Sequence, residues 1–428
     1  MTRRQVRHRF LVLRATRWFP VGLVVPVLVL LLLDRGFSLA EIGLAAALQG
    51  VVVFALELPT GGLSDTVGRR PVLLAATATD CVAVVLLLSA RSMPVLLAFW
   101  VLQGVYRALE SGPLDSWFVD TSESVEVDEG SDWLERGFSA AGVVTALALA
   151  SGAMIAAALV AIDPFDRLEA LATPIVLAAV FKVVDFGALV ALMREPPRER
   201  PVSALPKPGE VLAVIGSTTR TIRSSSILTA LIAVELFWGV GLSALEGLSP
   251  PKLAATVADA DQAATILGPA ATCAWLAAAA GSAVAPRLAD RIGTARAAMC
   301  LLTLQAATLV AMALSTGPIG VIAFYVLAFG ANGAVNPLYQ SLLHRHTKAA
   351  HRTTTVSAAS MASHSGGAVG MVVLGVVATT AGVETALIVA AAAVMIAVPF
   401  FRPARDTTEG RSSQPPNATS LEGAAETR

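Results

Sequence analysis

Cysteine is nearly absent from the 428 residues. Cys81, Cys273 and Cys300 each sit alone in an apolar run, which excludes a disulfide framework and a Cys-ligated zinc site. Charge is also scarce, at 14% of residues against about 25% in a soluble domain. Neither sign prevails: Lys and Arg number 31, as do Asp and Glu, so no global excess exists to hold nucleic acid. No Walker Gly-Lys-Ser/Thr occurs, which excludes a self-contained ATP-driven pump, and no nucleophile–base motif stands out, so the chain does not read as an enzyme. No cofactor is implied. His344, His346 and His351 come close together in sequence without a carboxylate cluster, and a solvated basic loop is the better reading than a metal site.

What the sequence has in abundance is apolar length. Hydrophobic residues make up 55% of the chain, and mean hydropathy is +0.70. A helix needs about 20 mostly apolar residues to cross a bilayer. Twelve stretches qualify, near 15–33, 38–62, 71–90, 94–117, 137–160, 171–193, 226–248, 263–287, 296–315, 319–343, 355–380 and 383–401. The fold class is therefore an all-α integral membrane protein of twelve transmembrane helices. The first stretch ends at Asp34-Arg35-Gly36 without a small-residue cleavage site, and reads as a retained helix rather than a removed signal.

Lys and Arg set the orientation. With the N-terminus inside, 25 of them fall in inner segments and four in outer loops (Arg35, Arg91, Arg167, Lys252), with Arg107 and Lys182 inside spans. Both termini are thus expected in the cytoplasm. Residues 194–225 are rich in proline and charge and read as a cytoplasmic linker between a six-helix bundle at 1–193 and another at 226–401. Residues 402–428 read as a disordered cytoplasmic tail. The acidic run from Glu123 to Glu135 reads as a solvated inner loop.

The two halves share a loop. Gly61, Leu63, Asp65, Gly68, Arg69 and Arg70 join spans two and three, and Leu288, Asp290 and Gly293 recur between spans eight and nine at a constant offset of 225. Duplicated six-helix halves are a common build among secondary transporters. Physically, Gly68 permits a tight turn, Arg69 and Arg70 hold the loop at anionic headgroups, and Asp65 is an anion able to meet free N–H groups at a nearby helix start.

On these residues the sequence resembles the major facilitator superfamily, whose loop motif Gly-x-Leu-x-Asp-x-x-Gly-Arg-Lys/Arg is matched at every fixed position. The resemblance covers roughly residues 10–401. It implies two pseudo-symmetric six-helix bundles, with spans one, four, seven and ten lining a central cavity. It also implies that Asp65 latches onto the start of span eleven, near Thr353, Thr354 and Ser357. Arg107-Ala108-Leu109-Glu110-Ser111-Gly112 resembles the family's fourth-helix motif, shifted by one and with Glu for the usual Gln, which implies proton coupling there. Glu57-x-Pro59-Thr60-Gly61 resembles a drug-exporter branch.

Charges within spans are costly and usually face the bundle interior. Arg107 and Glu110, at i,i+3, are either a proton-coupling site or a self-neutralising pair. Lys182 and Asp185 have the same spacing and read as a structural pair, which leaves Asp80 without an evident partner and a secondary proton-site candidate. Glu235, followed by Phe237 and Trp238, is either a carboxylate beside aromatics for a cationic solute or an interhelix bond. Glu246 reads as a wet outer-end residue, and Asp115 as solvated. In span ten, Asn332 and Asn336 are candidates for substrate contact, in a helix that Gly330, Gly333 and Pro337 should loosen.

The function expected is a monomeric secondary transporter in a bacterial cytoplasmic membrane, exchanging protons for hydrophobic or amphipathic small molecules by alternating access. Two features bear on the alternatives. Span five has Gly137, Gly142 and Gly152 but lacks the Gly-Pro pair of the family's antiporters, which keeps proton-coupled uptake of a polar metabolite open. The linker and acidic loop are short and carry no recognisable domain, which weighs against a transport-dead sensor or scaffold.

Overall fold

The computed structural model describes residues 2–123, 133–165, 168–195, 225–347 and 352–404; of residues 57–59, 61–66, 123, 133–136, 352–354 and 357 it gives the backbone alone. The linker core, most of the acidic run, His351 and the tail from 405 onward lie outside the described residues. Among those described, all regular structure is helical. Eleven helices are long and apolar enough to cross a membrane. Span four is missing from that count because Gln103, Arg107 and Glu110 lie in its main helix, Met93–Glu110, which resumes as Pro113–Glu123. The fold is the twelve-helix, two-bundle architecture.

Span one is longer than its apolar core. Its helix starts at Arg3, where Thr2 and Gln5 form a reciprocal capping box. Val6, Phe10, Leu13 and Arg17 then fall on one buried face, a helical stripe that the intervening arginines hide from a hydropathy average. Three spans are broken. Span one is interrupted between Val24 and Leu28, at Pro26. Span four breaks at Ser111-Gly112, with Gly112 at φ +92° before Pro113. Span seven runs Ser226–Gly247 and restarts as Ser249–Ala254 on Pro250 and Pro251. Irregular backbone at membrane depth is tolerated where it is enclosed by protein or lines a cavity.

Span ten, expected to be loosened, is instead one continuous helix, Pro318–His346. Its glycines serve close packing. A Cβ on Gly333 would lie 2.4 Å from the Ala278 carbonyl oxygen of span eight, and Ser282 Oγ donates to the Gly333 carbonyl at 2.6 Å. The repeated loop takes the same form in both halves. Gly68 (φ +121°) and Gly293 (φ +88°) each end one helix and begin the next, a conformation that L side chains rarely adopt.

The halves meet along two seams. Span two packs on span eleven, where a Cβ on Gly43 would fall 2.1 Å from the Met371 carbonyl oxygen. There the Ala40 N–H also donates to Thr379 Oγ1 at 3.0 Å. Span five packs on span eight, where a Cβ on Gly268 would fall 2.4 Å from the Ala153 carbonyl oxygen and Thr272 Oγ1 donates to the Ala150 carbonyl at 3.2 Å. These close contacts run from the end holding residues 34–39, 162–165, 168–170 and 247–260 to mid-helix, and at that end Leu28–Asp34 and Ala170–Ala172 of the first bundle also pack on Ser249–Ala254 and Ala260–Ile292 of the second, which seals it.

At the sealed end Glu169 joins two arginines. Arg35, its side chain only 2% exposed, reaches it at 2.6 Å and also donates to the carbonyls of Leu87, Leu88 and Ala90, capping span three. Arg91 reaches the other carboxylate oxygen at 2.6 Å. Partial burial opposes ionisation of Glu169, but its bonds to Arg35 and Arg91 outweigh it and hold the carboxyl below the ordinary glutamate range. Its stabilising contribution is therefore full at neutral pH and lost as pH falls through that lowered value. Glu169→Gln should cost about 1–2 kcal/mol at pH 7, and the melting curves of the two proteins should converge below about pH 4. Curves that stay parallel across that range would refute this assignment.

Candidate functional site

Five charged side chains cluster in the core of the first bundle, four of them buried. Arg17 of span one is 1% exposed. Its guanidinium donates to Thr77 Oγ1 of span three at 3.2 Å, and lies 3.5 Å from Glu110 of span four and 3.6 Å from Asp185 of span six. Asp185 also accepts from Thr16 Oγ1 at 2.7 Å and from Thr77 Oγ1 at 3.4 Å. A turn away, Lys182 forms an ion pair with Asp80, which accepts a second bond from Gln103 Nε2 at 2.8 Å. The Lys182 ammonium also sits 5.1 Å from the centre of the Tyr106 ring.

These pairings replace the local ones expected from spacing. Glu110 turns to Arg17 rather than Arg107, Lys182 to Asp80 rather than Asp185, and Asp80 is doubly partnered rather than alone. An i,i+3 neighbour shares a face but has to bend along its own helix. A residue on a facing helix points straight at it, and burial rewards the tertiary pair. Asp115, whose side chain is 42% exposed, also pairs with Arg14 at 2.6 Å.

Within the cluster, two cations face three carboxylates. Arg17 makes one ordinary hydrogen bond, while its Nε and one terminal nitrogen are buried without any. It is held between Glu110 and Asp185 without closing on either. Of the three carboxylates, Glu110 is the most open, at 18% side-chain exposure against 2–3% for Asp80 and Asp185.

The second bundle carries less charge and more neutral polarity. Glu235 of span seven is buried and bonded to Ser363 of span eleven, within electrostatic range of Tyr339. The aromatics beside it are already occupied. Phe237 stacks with Phe400 at 6.1 Å, and Trp238 Nε1 donates to Asn332 Oδ1 at 2.6 Å. Asn332 Oδ1 also accepts from Gln305 Nε2 at 3.3 Å, so Asn332 ties spans seven, nine and ten together. Gln305, with no exposed surface, was not singled out by sequence because a lone Gln in an apolar run carries no pattern. Asn336 is exposed.

Arg107 of span four is exposed and makes no hydrogen bond or ion pair among the described residues. It lies within electrostatic range of Glu246 in span seven and His364 in span eleven, both in the opposite bundle. Glu246 has accessible surface and likewise makes no hydrogen bond or ion pair among the described residues. His346, in the basic loop region, has Nδ1 at 2.8 Å from the Leu342 carbonyl oxygen.

Of the latch motif, the side chains of Leu63 and Asp65 fall outside the described ones, as do those of Glu57, Thr353, Thr354 and Ser357. The rest of the loop is tied to its own bundle. Arg69 pairs with Asp120, and Arg70 donates to the Val190 carbonyl at 2.7 Å. Glu195 accepts from the Arg70 backbone N–H at 2.7 Å, standing in for the side-chain cap that Gly68 lacks.

Two helical bundles closed against each other at one end around polar spans are the architecture of a secondary transporter. The sequence profile of the Major Facilitator Superfamily matches residues 10–257 and 248–424, and the chain belongs to that family. No curated protein sequence matches it. Among solved structures, the nucleoside transporter NupG superposes with a TM-score of 0.75 at 11% identity, over 94% of this chain and 99% of that one. A bacterial homologue of the human lysosomal transporter Spinster, inward-facing and occupied, superposes at 0.74 with 14% identity, over 94% and 96%. A bacterial homologue of the human drug peptide transporters PepT1 and PepT2 gives 0.72 at 12% identity, over 96% and 100%. At these identities the likeness establishes the fold alone.

Proposed function

We propose that the protein is a proton-coupled exporter of amphipathic small molecules, working by alternating access in a bacterial cytoplasmic membrane, with both termini in the cytoplasm. The observation that carries the coupling is the buried cluster of two cations and three carboxylates. One carboxylate is in surplus, and a surplus charge in a low-dielectric core is relieved by a proton. Glu110 is the carrier in this reading, because it alone combines contact with Arg17 and appreciable exposure. Lys182, Asp80 and Gln103 form the fixed part of the cluster. The apolar character of span one favours amphipathic cargo over a strongly polar metabolite. The distribution of Lys and Arg favours an inner open end and an outer sealed end. The bundles are taken as residues 1–193 and 226–401, joined by the linker at 194–225, with the Gly61–Arg70 loop acting as a conformational latch.

The test is dye-reported proton movement in proteoliposomes challenged with amphipathic amines, amphipathic acids and polar metabolites. Glu110→Gln should reduce substrate-driven proton flux at least tenfold while retaining the wild-type melting temperature within a few degrees. Glu235→Gln should leave flux within threefold, since Glu235 is committed to span eleven. Undiminished flux in Glu110→Gln would remove Glu110 from the mechanism. Flux abolished by Glu235→Gln instead would move the proton site to the second bundle.

A further inference from the structure

Arg107 of span four and Glu246 of span seven, on opposite bundles, lie within electrostatic range of each other, and neither has an ion pair among the described residues. Span two serves as a ruler on one side. Gly104 of span four packs on Gln49 and Val52 of span two, and Gly50 between them packs on His364 and Ala368 of span eleven. Arg107, one turn on from Gly104, therefore stands at the level of His364. Span eleven is the ruler on the other side. Gly370 packs on Ser243 and Gly247 on Met371, which sets Glu246 beside residues 370–371. Six or seven residues of helix separate the two levels, about 10 Å along the axis. The side chain of a helical residue leans toward its own N-terminus, which directs Arg107 toward the sealed end and Glu246 away from it, so each reaches toward the other.

Both side chains are exposed, neither has a hydrogen bond or ion pair among the described residues, and they are close enough to interact electrostatically. Tyr325 of span ten lies within range of Glu246, and His364 within range of Arg107. At the level of Glu246 the seam between the halves is closed where Gly43 meets Met371. A cation on one bundle and a carboxylate on the other, held apart at the closed end of the interface, match a solute with both an anionic and a cationic group. Such a solute supplies the counter-charge that each protein group lacks. It also bridges the two bundles, so its binding energy acts on the interface that alternating access must open and close.

We infer that Arg107 and Glu246 recognise the two ends of a zwitterionic small molecule, the Arg107 guanidinium taking its anionic group and the Glu246 carboxylate its cationic group. This rests on the transporter reading and names its substrate class. It is independent of which carboxylate carries the proton.

The probes are matched sets built on phenylalanine, phenylalanyl-phenylalanine and a tri-phenylalanine peptide: the free zwitterion, the N-acetylated anion and the methyl-ester cation. Binding to the purified full-length protein is measured by thermal shift and by competition, with no proton gradient, so a failure of proton coupling does not affect the readout. Wild type should prefer the zwitterion in at least one set by tenfold or more. Arg107→Gln should lose that preference and bind the methyl ester as well as the zwitterion. Glu246→Gln should do the same for the N-acetylated form. The exchange Arg107→Glu with Glu246→Arg should recover zwitterion preference to within about tenfold of wild type. The inference falls if no zwitterion binds wild type, if the esters or acids bind equally well, or if the single variants keep the wild-type order of preference. If coupled flux is abolished by Glu110→Gln while the charge preferences above are absent, the transporter reading stands and the substrate class is wrong.

Discussion

Arg17→Gln is expected to abolish proton-driven transport and to lower the melting temperature of the purified protein well below that of Arg107→Gln. Arg17 is buried between two carboxylates on different helices, and Thr77 is its one ordinary hydrogen-bond partner. Removing it leaves Asp185 and Glu110 facing each other in the core. Breaking a buried pair by deleting one partner costs about 3–5 kcal/mol, because the remaining charge is uncompensated. Arg107 has no such partners, and its loss should cost less than about 1 kcal/mol. A second substitution separates the stabilising role from the transport role. In Arg17→Gln with Asp185→Asn, one surplus negative charge is removed along with the cation. Stability should then recover by more than half, while proton flux stays absent because Glu110 has lost its cationic partner. A melting temperature for Arg17→Gln within 2 °C of wild type would show that the guanidinium is not electrostatically tied to the cluster. Transport restored in the double variant would show that Arg17 is structural only.

The same cluster shows how far the sequence could be read. Arg107, Glu110, Asp80, Lys182 and Asp185 were all legible as unusual, because a charge in an apolar stretch is conspicuous whatever surrounds it. Their partners were not. Spacing ranks neighbours on one helix, whereas the structure pairs span one with spans four and six, and span three with span six. In the sequence Arg17 reads only as one of the inner-side arginines that set topology, since it lies near the start of an apolar run beside other arginines. What distinguishes it is its place on the Val6–Phe10–Leu13 stripe, a pattern visible only once the helix is seen to begin at Arg3. The fold itself was legible at high resolution. The spans are separated by charged or proline-containing turns, and the Gly68 and Gly293 turns recur as backbone conformations as well as letters. The breaks in spans one, four and seven were harder to locate, because Pro26, Pro113 and Pro250 lie close to turns where proline is ordinary.

The glycines at the seams also had no sequence signal distinguishing them from those that pack within one bundle, yet their effects on substitution should differ in kind. Gly366 packs within the second bundle, where an added Cβ would lie 1.8 Å from the Leu236 carbonyl oxygen. Gly366→Ala should therefore unfold or misfold that bundle. Gly43 packs across the halves, where the added Cβ meets the Met371 carbonyl oxygen at 2.1 Å, and the backbone on both sides cannot swing aside. The bundles can relieve that clash by separating as rigid bodies, which is the movement alternating access uses. Gly43→Ala should therefore favour the state with this end open. A penalty of about 2 kcal/mol on the sealed state shifts the balance roughly thirtyfold. The readout is a cysteine at Leu374, which is 2% exposed and lines the seam with Ile42 and Gly43, in a background with Cys81, Cys273 and Cys300 replaced by serine. A membrane-impermeant maleimide should label Leu374→Cys slowly in the parent and at least tenfold faster with Gly43→Ala, while Gly366→Ala lowers the yield of folded protein instead. Cysteines at Ala40 and Thr379, whose backbone N–H and hydroxyl are 3.0 Å apart, should do the reverse. Cross-linked, they hold the seam shut and stop transport until a reductant is added. Labelling of Leu374→Cys that is unaffected by Gly43→Ala would mean that this seam does not open in the transport cycle.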